Sequence, residues 1–147
     1  MVQSWIGSFV GIGILAYLSV YSSYPLIAAP MGATSVLVFG VPDSPLAQPR
    51  NVIGGNTLAA LIAIVLVQTF GVAPWVMALA VATTIVLMKA TRTVHPPSGA
   101  VALVGIMSGV SWDFLMTPVL AGSIVIVLWT YVFNNLTPER AYPRHWL

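Results

Sequence analysis

Long apolar runs dominate the chain, and a few charged positions punctuate them. No charged residue occurs between Met1 and Pro42, between Asn51 and Met88, or between Phe114 and Pro138; a further run, Thr93 to Trp112, is broken only by His95. A helix needs about 20 apolar residues to cross a bilayer. The pattern predicts four full helices, at about residues 5–23, 52–70, 74–90 and 117–133. Pro74 suits a first helical turn, and Gly71-Val72-Ala73-Pro74 makes the tight turn of a hairpin. Gly7 and Gly11 form a small face that permits close packing.

Two apolar segments are too interrupted for plain spans, residues 24–40 and 93–109. Proline biases the residue before it away from helix, so each segment is expected to start extended and then run about ten residues as helix. They also repeat each other. Pro30-Met31-Gly32-Ala33 recurs 67 residues later as Pro97-Ser98-Gly99-Ala100, and the same interval carries Gly55 onto Gly122. The expectation is an all-α membrane protein built as two units of helix, broken segment, helix, over about residues 5–70 and 74–134 of one transmembrane domain, 1–147.

Charge discriminates between topologies. An extended piece of about 23 Å followed by about 15 Å of helix can cross a core of ~30 Å. If both broken segments cross, the units are inverted, and Arg50, Lys89, Arg92, Arg140 and Arg144 share one side; if both re-enter, the basic residues divide three to two. Lys and Arg favour the cytoplasmic side. The five-to-none division predicts six crossings, a three-plus-three inverted repeat, and both termini in the cytoplasm.

Composition narrows the class. Hydrophobic residues make up 59% of the 147 and charged residues 5%, against about 25% charged in soluble domains. That excludes a soluble or disordered chain, and a net charge of +2 excludes a basic nucleic-acid binder. The N-terminus lacks the positive region of a signal peptide, so its apolar run reads as a span. Cysteine is absent, and no carboxylate pair, nucleophile–base trio or metal-ligand cluster occurs. The expectation is no enzyme, no metal and no cofactor.

Inverted repeats with broken helices are the pattern of secondary transporters, and non-helical backbone at membrane depth must be buried or line a cavity. Half-helices starting near Met31 and Ser98 would point their N-termini at one another near the midplane and favour an anion. Gly32 and Gly99 would let it approach the backbone, beside Ala33 and Ala100. Thr34, Ser35 and Ser98 supply hydroxyls. Arg92 either attracts the anion or is a snorkelling flank. Lys89 reads as a flank, Arg50 as a flank or loop lock, and Asp43 and Asp113 as loop closures. His95 either serves the anion or gate, or is a satisfied structural residue. The candidate substrate-binding set is Met31, Gly32, Ala33, Thr34, Ser35, Arg92, His95, Ser98, Gly99 and Ala100. The residues point to transport of a small anion, with an anion channel and a non-transporting anchor or assembly subunit as rivals. Six short crossings enclose little volume, so a homo-oligomer is expected.

The stretch Thr91-Arg92-Thr93-Val94-His95-Pro96-Pro97-Ser98-Gly99-Ala100 resembles the signature of the HPP family of membrane proteins, named for His-Pro-Pro. Ala29-Pro30-Met31-Gly32-Ala33 with Phe39-Gly40, and Ser44-Pro45-Leu46-Ala47-Gln48-Pro49-Arg50-Asn51-Val52-Ile53-Gly54-Gly55, also look like that family. The chain departs at Asn56, where the family often has histidine. The resemblance implies an integral membrane protein of bacteria, cyanobacteria or plastids, here in a bacterial or cyanobacterial plasma membrane, usually described with four membrane helices. It also implies nitrite as the anion, through plastid and cyanobacterial relatives associated with nitrite transport.

Overall fold

The structure, a computed structural model, describes residues 1–23, 28–137 and 140–145. Among them the regular elements are helical: α1 Val2–Ser22, α2 Ala29–Gly40, α3 Pro49–Phe70, α4 Pro74–Ala90, α5 Pro97–Met107 and α6 Trp112–Leu136. Proline stands in the first turn of α2, α3, α4 and α5, where its missing N–H has no intrahelical partner to lose and its fixed φ suits the helix. Positive φ follows four of the helices, at Ser23, Gly71, Arg92 and Gly109.

The predicted elements are present, with informative differences. Three helices, α1, α3 and α6, are long and apolar enough to cross a membrane, where the pattern predicted four. The hairpin helix α4 has 17 residues, about 25 Å, short of the ~30 Å core. Helix α6 begins ahead of the expected residue 117 and is interrupted there: Thr117 is extended (φ −139°, ψ 126°) because Pro118 follows it. In the second broken segment only Thr93, Val94 and His95 are unwound, since Pro96 already has helical dihedrals. The extended start expected for the first segment falls largely on residues 24–27, outside the described residues; Ala28 beside them is extended. Ala28, Ala29 and Gly32 line a groove of about 340 Å³ with Ile12, the midpoint of α1.

Lipid tails are as apolar as leucine, so close packing rather than water exclusion holds such helices together. One cluster joins Ala59, Ala60 and Ala63 of α3 to Val76 and Ala80 of α4, Ala102 and Ile106 of α5 and Val119 of α6. A second joins Leu15 of α1, Met31 and Phe39 of α2, Val52 of α3 and Ile126 and Val127 of α6. Small residues set the approach: a Cβ on Gly105 would lie 2.6 Å from the Ala63 Cβ. Gly7 and Gly11 receive aromatic rings, with Phe39 and Phe133 2.7 Å from a Cβ at Gly7 and Trp129 2.8 Å from one at Gly11.

One end of the bundle is tied by polar contacts. Arg140 donates to the Phe39 carbonyl at 3.1 Å and to Ser4 Oγ at 3.2 Å. The Tyr142 hydroxyl donates to the Ala47 carbonyl at 2.9 Å, and Arg144 pairs with Asp43 at 2.6 Å. Arg50 donates to the Thr91 carbonyl at 2.9 Å. The N-terminus, the 41–48 link, the 91–96 link and the 140–145 tail therefore share this end, and with them all five Lys and Arg residues. At the opposite end Gly109 approaches Val72, whose side chain would lie 3.6 Å from a Cβ at that glycine.

Candidate functional site

The site forms where the unwound Thr93–Val94–His95 stretch meets α2, α3 and the 41–48 link. Asn51, in the first turn of α3, donates to the Val94 carbonyl at 2.8 Å and anchors the stretch. Gly55 makes the approach possible, because a Cβ there would lie 2.8 Å from Ser98 Oγ, 2.8 Å from the Thr93 carbonyl oxygen and 2.9 Å from the His95 Cβ.

His95 is fully buried and both ring nitrogens are engaged. Nδ1 lies 2.9 Å from the Leu46 carbonyl oxygen, which can only accept, so Nδ1 carries the hydrogen. In the neutral ring Nε2 then accepts from the Thr34 hydroxyl, 2.9 Å away. This contact bridges the two broken segments. Beside it, Ser98 Oγ meets Asn56 Oδ1 at 2.9 Å, and Asn56 Nδ2 meets Ser123 Oγ at 3.0 Å. Thr34, His95, Ser98, Asn56 and Ser123 are all 0% exposed. Ser35 Oγ is buried without a hydrogen-bond partner among the described residues. Among the described residues no cluster of three His, Cys, Asp or Glu occurs.

The ten residues singled out in the sequence divide between two faces. Met31, Thr34, Ser35, His95 and Ser98 are buried; Gly32, Ala33, Arg92 and Ala100 are exposed, and Gly99 is half-exposed. The backbone N–H groups of Met31, Ser98 and Gly99 donate to the carbonyls of Ala28, His95 and Pro96 at 2.8, 2.9 and 3.1 Å. Side chains, not these amides, supply the polar groups of the buried network. Arg92 has φ 57° and closes α4: its N–H reaches the Lys89 carbonyl at 3.3 Å, and the Thr93 N–H reaches that of Met88 at 2.9 Å. This is the double hydrogen bond of a Schellman cap, and it turns the chain into the unwound stretch. Ser123 and the Leu46 carbonyl escaped the sequence reading, and Asn56 entered it only as a departure from the family pattern. A signal for two of them existed, because Asn56 and Ser123 lie 67 residues apart, the interval of the internal repeat.

Residues 1–143 match the family described as HPP, transmembrane region. Two curated transmembrane proteins of Dictyostelium discoideum are each 38% identical over 97% of this chain, which covers 54% and 50% of their lengths. The chain thus spans about half the length of the curated relatives it matches. No solved structure matches it.

Proposed function

The chain belongs to the HPP transmembrane family, and from that premise we propose that it carries a small inorganic anion, nitrite foremost, across a membrane. One observation carries the reading: Thr34, His95, Ser98, Asn56 and Ser123 form buried polar contacts between the broken segments and the long helices. Each polar group left without a partner in hydrocarbon costs several kcal/mol, on the order of 4–8 by transfer to cyclohexane, and polar side chains at that depth mark substrate pathways. The nitrite assignment rests on the family resemblance.

The three-plus-three inverted repeat belongs to this proposal. It draws support from the two apolar clusters, in which Phe39, Val52, Ala59 and Ala60 correspond at an interval of 67 residues to Ile106, Val119, Ile126 and Val127. Each pair has one member in each cluster. On this reading α2 and α5 complete crossings begun by unwound backbone, the anion sits between their starts, and the basic end faces the cytoplasm. A homo-oligomer would cover the exposed small residues Ala29, Gly32 and Ala33.

The test is influx of nitrite into proteoliposomes that contain only this chain. Saturable influx that exchanges with internal nitrite supports a carrier. Ohmic single-channel current would replace it with a channel, and influx that requires a second protein would replace it with an assembly subunit.

A further inference from the structure

We propose that the corner where α4 ends against α3 binds the headgroup of an anionic phospholipid through Arg50, Lys89 and Arg92; this rests on the reading above in which α4 crosses the bilayer and the basic end meets its cytoplasmic leaflet. Lys89 stands in the last turn of α4, and Arg92 takes the left-handed position that closes it. Arg50 reaches the same place from α3, because its guanidinium donates to the Thr91 carbonyl at 2.9 Å. Three cations from two helices therefore gather at residues 89–92. No described side-chain carboxylate answers them: Asp43 pairs with Arg144 at 2.6 Å, and Asp113 lies in the first turn of α6, near the opposite end. Lys89 and Arg92 are exposed, and among the described residues neither side chain has a hydrogen bond or ion pair. The Thr91 contact engages one N–H of the Arg50 fork and leaves the others for a second acceptor.

Depth and charge select the partner. With 17 residues, α4 spans about 25 Å against a hydrocarbon core of ~30 Å, so its last turn falls at the edge of the hydrocarbon rather than in bulk water. Long Lys and Arg stems carry their charges outward from there to the phosphate level. Just ahead of them Ile85, Val86 and Leu87 are 49%, 63% and 38% exposed, an apolar surface for acyl chains. A partner that meets both surfaces has a fatty chain and a negative head. A zwitterionic headgroup brings its own cation and leaves the excess positive charge in place, whereas a net-negative phosphodiester neutralises it through charge-assisted hydrogen bonds. The cap holds the two α4 cations in a fixed backbone relation, since the Arg92 N–H donates to the Lys89 carbonyl at 3.3 Å.

The experiment uses the full chain with one thiol, Ala90→Cys, an exposed position next to Lys89, labelled with a fluorophore. It is reconstituted in a fixed mixture of phosphatidylcholine and phosphatidylglycerol, in which the acyl chains of one lipid or the other carry bromine, a contact quencher. Relative quenching gives the preference for phosphatidylglycerol, expected at about fivefold or more, since each basic residue near the surface contributes about fivefold. Arg92→Gln should lower that preference about fivefold, and Arg92→Lys should retain it. Arg144→Gln removes the same charge from a residue already paired with Asp43 and should leave the preference unchanged. An equal loss in Arg144→Gln and Arg92→Gln would reduce the effect to overall charge and overturn the site. Equal quenching by both brominated lipids overturns the site and leaves the crossing of α4 standing. Quenching by neither places the end of α4 outside the bilayer and overturns both. Millimolar sodium phosphate should not displace the lipid; displacement would reassign the corner to a soluble anion and overturn the lipid site.

Discussion

His95 Nε2 lies 2.9 Å from Thr34 Oγ1, across 61 residues of sequence, while the opposite ring nitrogen is held by the Leu46 carbonyl. The imidazole is thereby a cross-brace between the two broken segments and the 41–48 link. An acceptor-only carbonyl at Nδ1 fixes a single tautomer.

The brace predicts a spectroscopic signature and a cost. In 15N-histidine spectra at pH 7, His95 should show Nδ1 protonated and Nε2 bare; a doubly protonated ring would contradict the assignment. His95→Ala strands the Thr34 hydroxyl and the Leu46 carbonyl and leaves a void. The expected loss is about 2–4 kcal/mol, read as a lowered unfolding midpoint in detergent.

Topology can be read with cysteines, since the chain has none of its own. Ser44 lies in the 41–48 link at the basic end, and Ser111 just before α6 near the opposite end. Ser44→Cys and Ser111→Cys should react with an impermeant thiol reagent from opposite faces, Ser44→Cys from the cytoplasmic one. Labelling of both from one face would remove the six-crossing arrangement.

Glycines separate packing from passage. A Cβ at Gly55 meets three atoms within 2.9 Å, whereas one at Gly32 or Gly99 meets nothing within 4 Å. Gly55→Ala should push the start of α5 off α3 and destabilise by about 1–3 kcal/mol. Gly99→Ala and Gly32→Ala should unfold at the wild-type temperature. Equal midpoints for Gly55→Ala and Gly99→Ala would show that the close approach is dispensable.

The tail should respond to alkali. Burial pushes the Tyr142 phenol above the ordinary phenol range, and its hydroxyl holds the Ala47 carbonyl. A group whose folded pKa is raised contributes stability that is present below its unfolded value and lost as pH rises beyond it. A spin label on His145→Cys should stay immobilised to pH about 10 and loosen above. Tyr142→Phe should mobilise it at every pH and flatten that rise, and Arg140→Gln, which loses the Phe39 and Ser4 contacts, should mobilise it at neutral pH. An immobile label in both variants would show that other contacts dock the tail.

Much of the helical layout is legible in the sequence because apolar runs and first-turn prolines mark the helices directly. The shortness of α4 and the break at Thr117 are less legible, since one concerns a margin of a few ångström and the other a single dihedral pair. Within the site, Thr34, His95 and Ser98 are recognisable one by one as polar residues in apolar segments, but the 61-residue pairing of Thr34 with His95 and the hold of the Leu46 carbonyl on the ring follow no period, and only Asn56, the partner of Ser98, is marked by the 67-residue interval to Ser123. Helical spacing does separate Met31, Thr34, Ser35 and Val38 from Gly32, Ala33 and Val36, and the buried and exposed faces of α2 divide along that line. Motif identity between the repeats grouped residues that the helix turns to different sides.

Arg92 occupies the left-handed position of the cap on α4, where glycine is the usual residue. A side chain there carries a penalty of about 1 kcal/mol, and among the described residues the guanidinium has no hydrogen-bond or ion-pair partner to offset it. Selection for heat resistance alone would therefore drift toward Arg92→Gly, which should unfold later than the natural chain. On this balance the guanidinium adds nothing to the durability of the fold, and an Arg92→Gly chain isolates whatever else that charge does.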